Sequence, residues 1–148
     1  MRIARVALAG VALLAPAACG DDGGSAATTA TASNASDPAV AAADMITPQE
    51  GQALMAEAGD QLTVIDVRTP EEYAGGHIDG AINLDVQSGA FSSEIAKLDP
   101  AAAYIVYCQS GRRSAIAAAT MVAAGFGDVH DMGGIQGWID AGLPVVAA

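Results

Sequence analysis

Two patterns of apolar residues alternate along the chain. At 62–67 and again at 103–107, stretches of five or six positions are dominated by β-branched and aromatic side chains. Such runs are the mark of strands buried on both faces. Shorter runs at 81–84 and 129–132 predict two more strands. The stretches between them carry helix signals instead. Thr47, Pro48 and Glu50 form a cap, a first-turn proline and a capping box, predicting a helix over 48–58 that stops at Gly59. Thr69 caps a short helix that opens with Pro70-Glu71-Glu72-Tyr73 and ends at Gly75-Gly76. A third helix is expected over 88–98, with Phe91, Ile95 and Leu98 on one face, followed by a turn at Asp99-Pro100. An alanine-rich helix comes next over 113–124, ended by Gly125. Gly133-Gly134 is read as a turn into a last helix over 135–141. Strands alternating with helices imply right-handed βαβ units. The expected class is α/β, with a central, mostly parallel sheet flanked by helices on both faces.

This alternation occupies only residues 44–148, about the size of one small domain. Residues 1–18 read as an export signal. Arg2 and Arg5 precede an apolar stretch at 6–15, and small residues lead to Cys19. The stretch Leu14-Ala15-Pro16-Ala17-Ala18-Cys19-Gly20 resembles a bacterial lipoprotein signal, in which Cys19 becomes the lipid-bearing first residue. Pro16 departs from that pattern, and Ala15-Pro16-Ala17 also fits an ordinary cleavage site. The lipoprotein reading is preferred because it accounts for both the cysteine and the polar segment after it. Residues 19–43 are rich in Ala, Gly, Ser and Thr, with almost no large apolar side chain. Such a segment buries too little to offset its ordering entropy and is read as a flexible tether. The expected location is the outer face of the cytoplasmic membrane or the periplasm, held by lipid alone.

Charge narrows the range of partners. The chain of 148 residues carries 6 Lys+Arg against 17 Asp+Glu, a formal charge of −11. Removing residues 1–18 takes Arg2 and Arg5 away and leaves 4 against 17, or −13. Nucleic acid and anionic membrane surfaces are therefore poor partners. Two cysteines and two histidines are too few for a disulfide scaffold or a Cys/His metal cluster. No metal or other cofactor is expected.

The candidate chemistry lies at the end of the strand over 103–107. Tyr107-Cys108-Gln109-Ser110-Gly111-Arg112-Arg113-Ser114 reads as strand, tight loop, helix. Ligands bind at the carboxyl ends of parallel strands. The backbone N–H groups of such a loop, with those of the following helix start, converge into an anion cradle that also favours a thiolate. Arg112 and Arg113 add positive potential, so Cys108 is expected to be an activated nucleophile. The plainer alternative is an inert cysteine after a strand, but it accounts for neither the arginines nor the glycine.

Four segments resemble the rhodanese family of sulfurtransferases: Asp66-Val67-Arg68-Thr69-Pro70-Glu71-Glu72-Tyr73, Gly76-His77-Ile78-Asp79-Gly80-Ala81-Ile82-Asn83-Leu84, Cys108 to Ser114, and Gly133-Gly134-Ile135-Gln136-Gly137-Trp138. They stand in the family's order and spacing across about residues 45–146. The resemblance implies a rhodanese-like fold and a persulfide on Cys108, cradled by the amides of Gln109, Ser110, Gly111, Arg112 and Arg113. The sulfur would come from a small donor such as thiosulfate and pass to cyanide, a thiol or a protein acceptor. A sulfur carrier without turnover remains an alternative. Phosphatases and arsenate reductases with a C-x5-R cradle are a third class. Here the sixth residue after Cys108 is Ser114, and Arg113 comes one place earlier, which favours a smaller cradle.

Supporting roles are expected for Asp66, Arg68 and Glu72. Asp66 is read as ordering nearby backbone or arginine groups. Arg68 is a candidate for binding an anionic donor. Glu72 is a candidate partner for Arg113. His77 is read as structural rather than a general base, His130 receives no role, Trp138 is assigned to packing, and Arg112 is expected to face solvent and steer anions.

Overall fold

The computed structural model describes residues 43–147. The expected signal segment, the tether up to residue 42 and Cys19 lie outside the described residues. Five strands form one parallel sheet: β1 (Asp44–Met45), β2 (Leu62–Asp66), β3 (Ile82–Asn83), β4 (Ala103–Cys108) and β5 (Asp128–Gly134), in the order β1-β5-β4-β2-β3. Five helices connect or succeed them: α1 (Pro48–Ala58), α2 (Pro70–Ala74), α3 (Phe91–Ile95), α4 (Arg112–Ala123) and α5 (Ile135–Asp140).

Alternation along the two central strands divides the core between the two faces. Ile65 and Val67, with Tyr104, Val106 and Cys108, pack on one face against Phe91 and Ile95 of α3 and Ala117, Ala118 and Met121 of α4. Leu62 and Val64, with Ile105 and Tyr107, pack on the other against Leu54 and Met55 of α1, Tyr73 of α2, and Ile135 and Trp138 of α5. This is the period of two that a strand imposes, and it gives the α/β sandwich expected, with helices on both faces.

Both capping boxes are present. The Thr47 and Thr69 side chains accept from the Glu50 and Glu72 amides, and each glutamate accepts back from the cap's own N–H. Four elements differ from expectation. Strand β1 carries no apolar run; it is two residues held by backbone pairing with His130 and Asp131. Helix α3 is five residues rather than eleven. Asp85 and Ser88 tie residues 85–90 into a turn through their own polar groups, Gly89 takes φ +72°, and Ala90 offers no capping side chain. Gly59 opens a 3-10 turn over Gly59–Gln61. Gly133 and Gly134 lie within β5, where a bulge shifts the register so that they pair with Tyr107 and Cys108.

That last difference brings the two strand ends together. A Cβ on Gly134 would stand 2.8 Å from the Gln109 carbonyl oxygen and 3.0 Å from Ser110 Cα, both backbone atoms. Gly134→Ala is expected to destabilise the domain by about 1–3 kcal/mol, the usual range for overpacking. Its melting temperature should fall by several degrees in calorimetry. An unchanged melting temperature would mean that the loop yields at no cost.

Candidate active site

Strands β2, β4 and β5 end at one level, and the segments after them build the site. Cys108 closes β4 and has no exposed surface. Gly111, at φ +93°, turns the chain back into α4, a conformation only glycine takes without strain. Its N–H donates to Cys108 Sγ at 3.0 Å. Burial by itself pushes the thiol up. The Ser114, Ser110 and Gly111 amides and the Ser114 hydroxyl more than offset this, so the net direction is below the ordinary thiol value.

Ser114 also belongs to this cradle, although its place in the sequence assigns it no role. It is fully buried, and its hydroxyl lies within hydrogen-bond reach of the carbonyls of Gly111 (2.9 Å) and Gly133 (3.3 Å). It therefore joins the loop, the helix start and β5. Its signal in the sequence is phase: Ser114 falls in line with Ala117, Ala118 and Met121, the buried stripe of α4.

Asp66 and Arg68 form a buried pair beside the loop. Arg68 Nε donates to both Asp66 oxygens at 3.0 Å, and Nη2 donates to Oδ2 at 2.7 Å. Asp66 Oδ1 also accepts the Arg68 backbone N–H. The rest of the guanidinium reaches the Gly76 carbonyl (2.6 Å) and Gln109 Oε1 (3.2 Å). Asn83 Nδ2 donates to the carbonyls of Asp66 and Arg68 and braces the same turn. Arg68 is only 4% exposed. With its donors engaged by protein oxygens, it is poorly placed to hold an anionic donor and instead tethers the first residue of the loop.

Glu72 serves two elements with one carboxylate. It accepts the Thr69 N–H of the α2 cap, and it accepts Arg113 Nη1 and Nη2 at 2.6 and 2.8 Å. The Arg113 guanidinium, against the opposing pull of partial burial and with the Thr69 N–H helping, holds Glu72 down at about 2. Arg113 is raised in turn, chiefly by Glu72. Gln87 adds a longer contact to Arg113 at 3.4 Å. Arg112 stays exposed.

The remaining polar candidates are in structural positions. His77 stacks on Tyr73 at 3.7 Å between ring centroids, its Nδ1 lies 3.0 Å from the Tyr73 carbonyl, and its backbone bridges to Val146. His130 lies 2.9 Å from Asp128 on β5. Trp138 is buried and donates from Nε1 to the Pro144 carbonyl. Among the described residues no group of His, Cys, Asp and Glu is arranged to hold a metal ion.

Comparison with known proteins points the same way. A family model described as a rhodanese-like domain matches residues 47–141. Thiosulfate sulfurtransferase GlpE of Pseudomonas entomophila is 42% identical over 94 residues, covering 63% of this chain and 82% of that protein. A sulfurtransferase of Allochromatium vinosum is 34% identical over 89 residues, covering 60% of this chain and 81% of that one. The crystal structure of a rhodanese-related protein from Thermoplasma volcanium matches with a TM-score of 0.60 at 33% identity, over 71% of this chain and 99% of that chain.

The Glu72–Arg113 pair makes a pH-dependent contribution to stability. The folded value of Glu72, about 2, lies below its ordinary 4.5. The contribution is therefore complete above about 4.5 and is lost as the pH falls towards 2. Glu72→Gln is expected to lose this component while keeping a cap acceptor. Its urea midpoint should fall less than that of the wild type between pH 5 and pH 3. Equal acid sensitivity in the two proteins would remove Glu72 from this role.

Proposed function

The chain belongs to the rhodanese-like domain family, and we propose that it is a sulfurtransferase working through a persulfide on Cys108. The observation that carries this reading is the Gly111 N–H at 3.0 Å from a thiol whose pKa is lowered despite complete burial. The thiolate attacks the outer sulfur of thiosulfate. The new S–S bond forms as the old one breaks, and sulfite leaves with the electron pair. The outer sulfur of the persulfide then carries the negative charge, and the loop amides stabilise it by the logic of an oxyanion hole. Cyanide or a thiol takes that sulfur and returns the thiolate, completing a ping-pong cycle. A slim donor suits this site, because the sulfur is buried. Members named as thiosulfate sulfurtransferases support the donor. A protein thiol is an acceptor of the same chemistry.

Intact-protein mass measurement tests the reading. After thiosulfate the domain should gain about 32 mass units, one sulfur, and lose them again with cyanide. Because the thiol pKa is lowered, adduct formation should hold its rate at pH values below the ordinary thiol pKa. Cys108→Ser should form no adduct and release no thiocyanate. A folded Cys108→Ser protein that still turns over would overturn the assignment. An adduct that no acceptor removes would favour a carrier without turnover.

The export signal and the Cys19 anchor belong to the same proposal. They rest on the basic start, the apolar stretch and the cysteine followed by a polar tether. In a bacterium that makes lipoproteins, the mature chain should begin at Cys19 with added acyl mass. Cys19→Ala should release it from the membrane fraction. A mature chain that begins at another residue without lipid would refute the anchor.

A further inference from the structure

Resting on the Cys108 reading, we infer that the acceptor served by this site is an organic thiol that carries a carboxylate on an apolar body, seated between Arg112, Val86 and Ile116. The loop borders a cavity of about 420 Å³, lined by Val86, Gln87, Ser110, Arg112, Arg113 and Ile116. That volume far exceeds a cyanide or thiosulfate ion and lies in the range of small-molecule sites. Its lining has two characters. Val86 and Ile116 supply apolar wall, and Ile116 leaves 53% of its surface exposed there, free to meet a ligand. Arg112 stands one helical turn before Ile116, so the two side chains share a face of α4.

The pairing of charges singles out Arg112. The described residues contain four cationic side chains, Arg68, Lys97, Arg112 and Arg113. Arg68 pairs with Asp66, Lys97 with Glu94 and Arg113 with Glu72. Only Arg112 has no carboxylate partner among the described residues, in a strongly acidic chain. One free cation beside an apolar wall fits a ligand with one negative charge and a hydrocarbon body. The thiolate of that ligand attacks the outer persulfide sulfur. The S–S bond to Cys108 breaks, Cys108 leaves as thiolate, and the acceptor departs as its own persulfide, with charge and electron count unchanged.

Mercaptohexanoate and mercaptohexanol test the charge, because they share a chain length and thiol basicity. Mercaptopropionate tests the apolar body. With thiosulfate as donor, wild-type kcat/KM should be about five times higher for mercaptohexanoate than for mercaptohexanol. It should also exceed that for mercaptopropionate. Arg112→Gln should bring the hexanoate-to-hexanol ratio close to one. Ile116→Ser should lower the hexanoate-to-propionate ratio about threefold, through KM rather than kcat. Wild type that gains the sulfur but uses mercaptohexanoate and mercaptohexanol equally well would overturn this inference and leave the Cys108 reading intact. Wild type that never gains the sulfur overturns both. Ratios unchanged in both folded variants would place the acceptor elsewhere.

Discussion

A sulfur sealed from solvent can carry charge only if the protein supplies the donors that water would have supplied. That constraint organises this domain. Cys108 ends the central strand of a parallel sheet, and the donors that reach its sulfur are chiefly backbone N–H groups, with the Ser114 hydroxyl beside them. Backbone groups point correctly only if the loop is held, and it is held from four directions. Arg68 grips Gln109, Gly134 packs against Ser110, Ser114 ties Gly111 to Gly133, and Glu72 fixes Arg113.

The buried Asp66–Arg68 pair belongs to the same frame. A buried ion pair adds little net stability, because desolvation offsets the attraction. Its value here is geometric. Asp66 takes the Arg68 backbone N–H, Nε and one N–H of Nη2, which leaves the second N–H of Nη2 for Gly76 and Nη1 aimed at the loop. The strand end after β2 thereby becomes a rigid wall for the loop after β4.

Much of this was legible in the sequence wherever local chemistry decided the structure. The runs at 62–67 and 103–107 are the two central strands within a residue, and Thr47 and Thr69 open their helices as expected. Features that were not legible depend on partners distant in the chain. Strand β1 exists only because β5 presents an edge. Gly133-Gly134 looks like a turn because glycines usually make one; the approach of Gln109 and Ser110 that requires Gly134 comes from tertiary packing. Ser114 stands within the loop motif, but its buried hydroxyl bonds are set by the way α4 docks. Arg68 stands out in the sequence as a cation near the site, and only the structure shows its charge engaged by Asp66.

Arg112 and Arg113 are neighbours of the same type, and the fold separates their work. In a cradle built for a tetrahedral oxyanion, an arginine fork is aimed at the ligand oxygens. Here the fork of Arg113 is given to Glu72 across the loop, which leaves fixed dipoles as the main stabilisers of the cysteine sulfur. Dipoles suit a charge that stays within one covalent side chain, moving from the thiolate to the outer atom of a persulfide over about 2 Å, the length of an S–S bond. By giving the Arg113 fork chiefly to Glu72, with Cys108 a lesser partner, the domain lowers the thiol pKa mainly through fixed dipoles set against the sulfur.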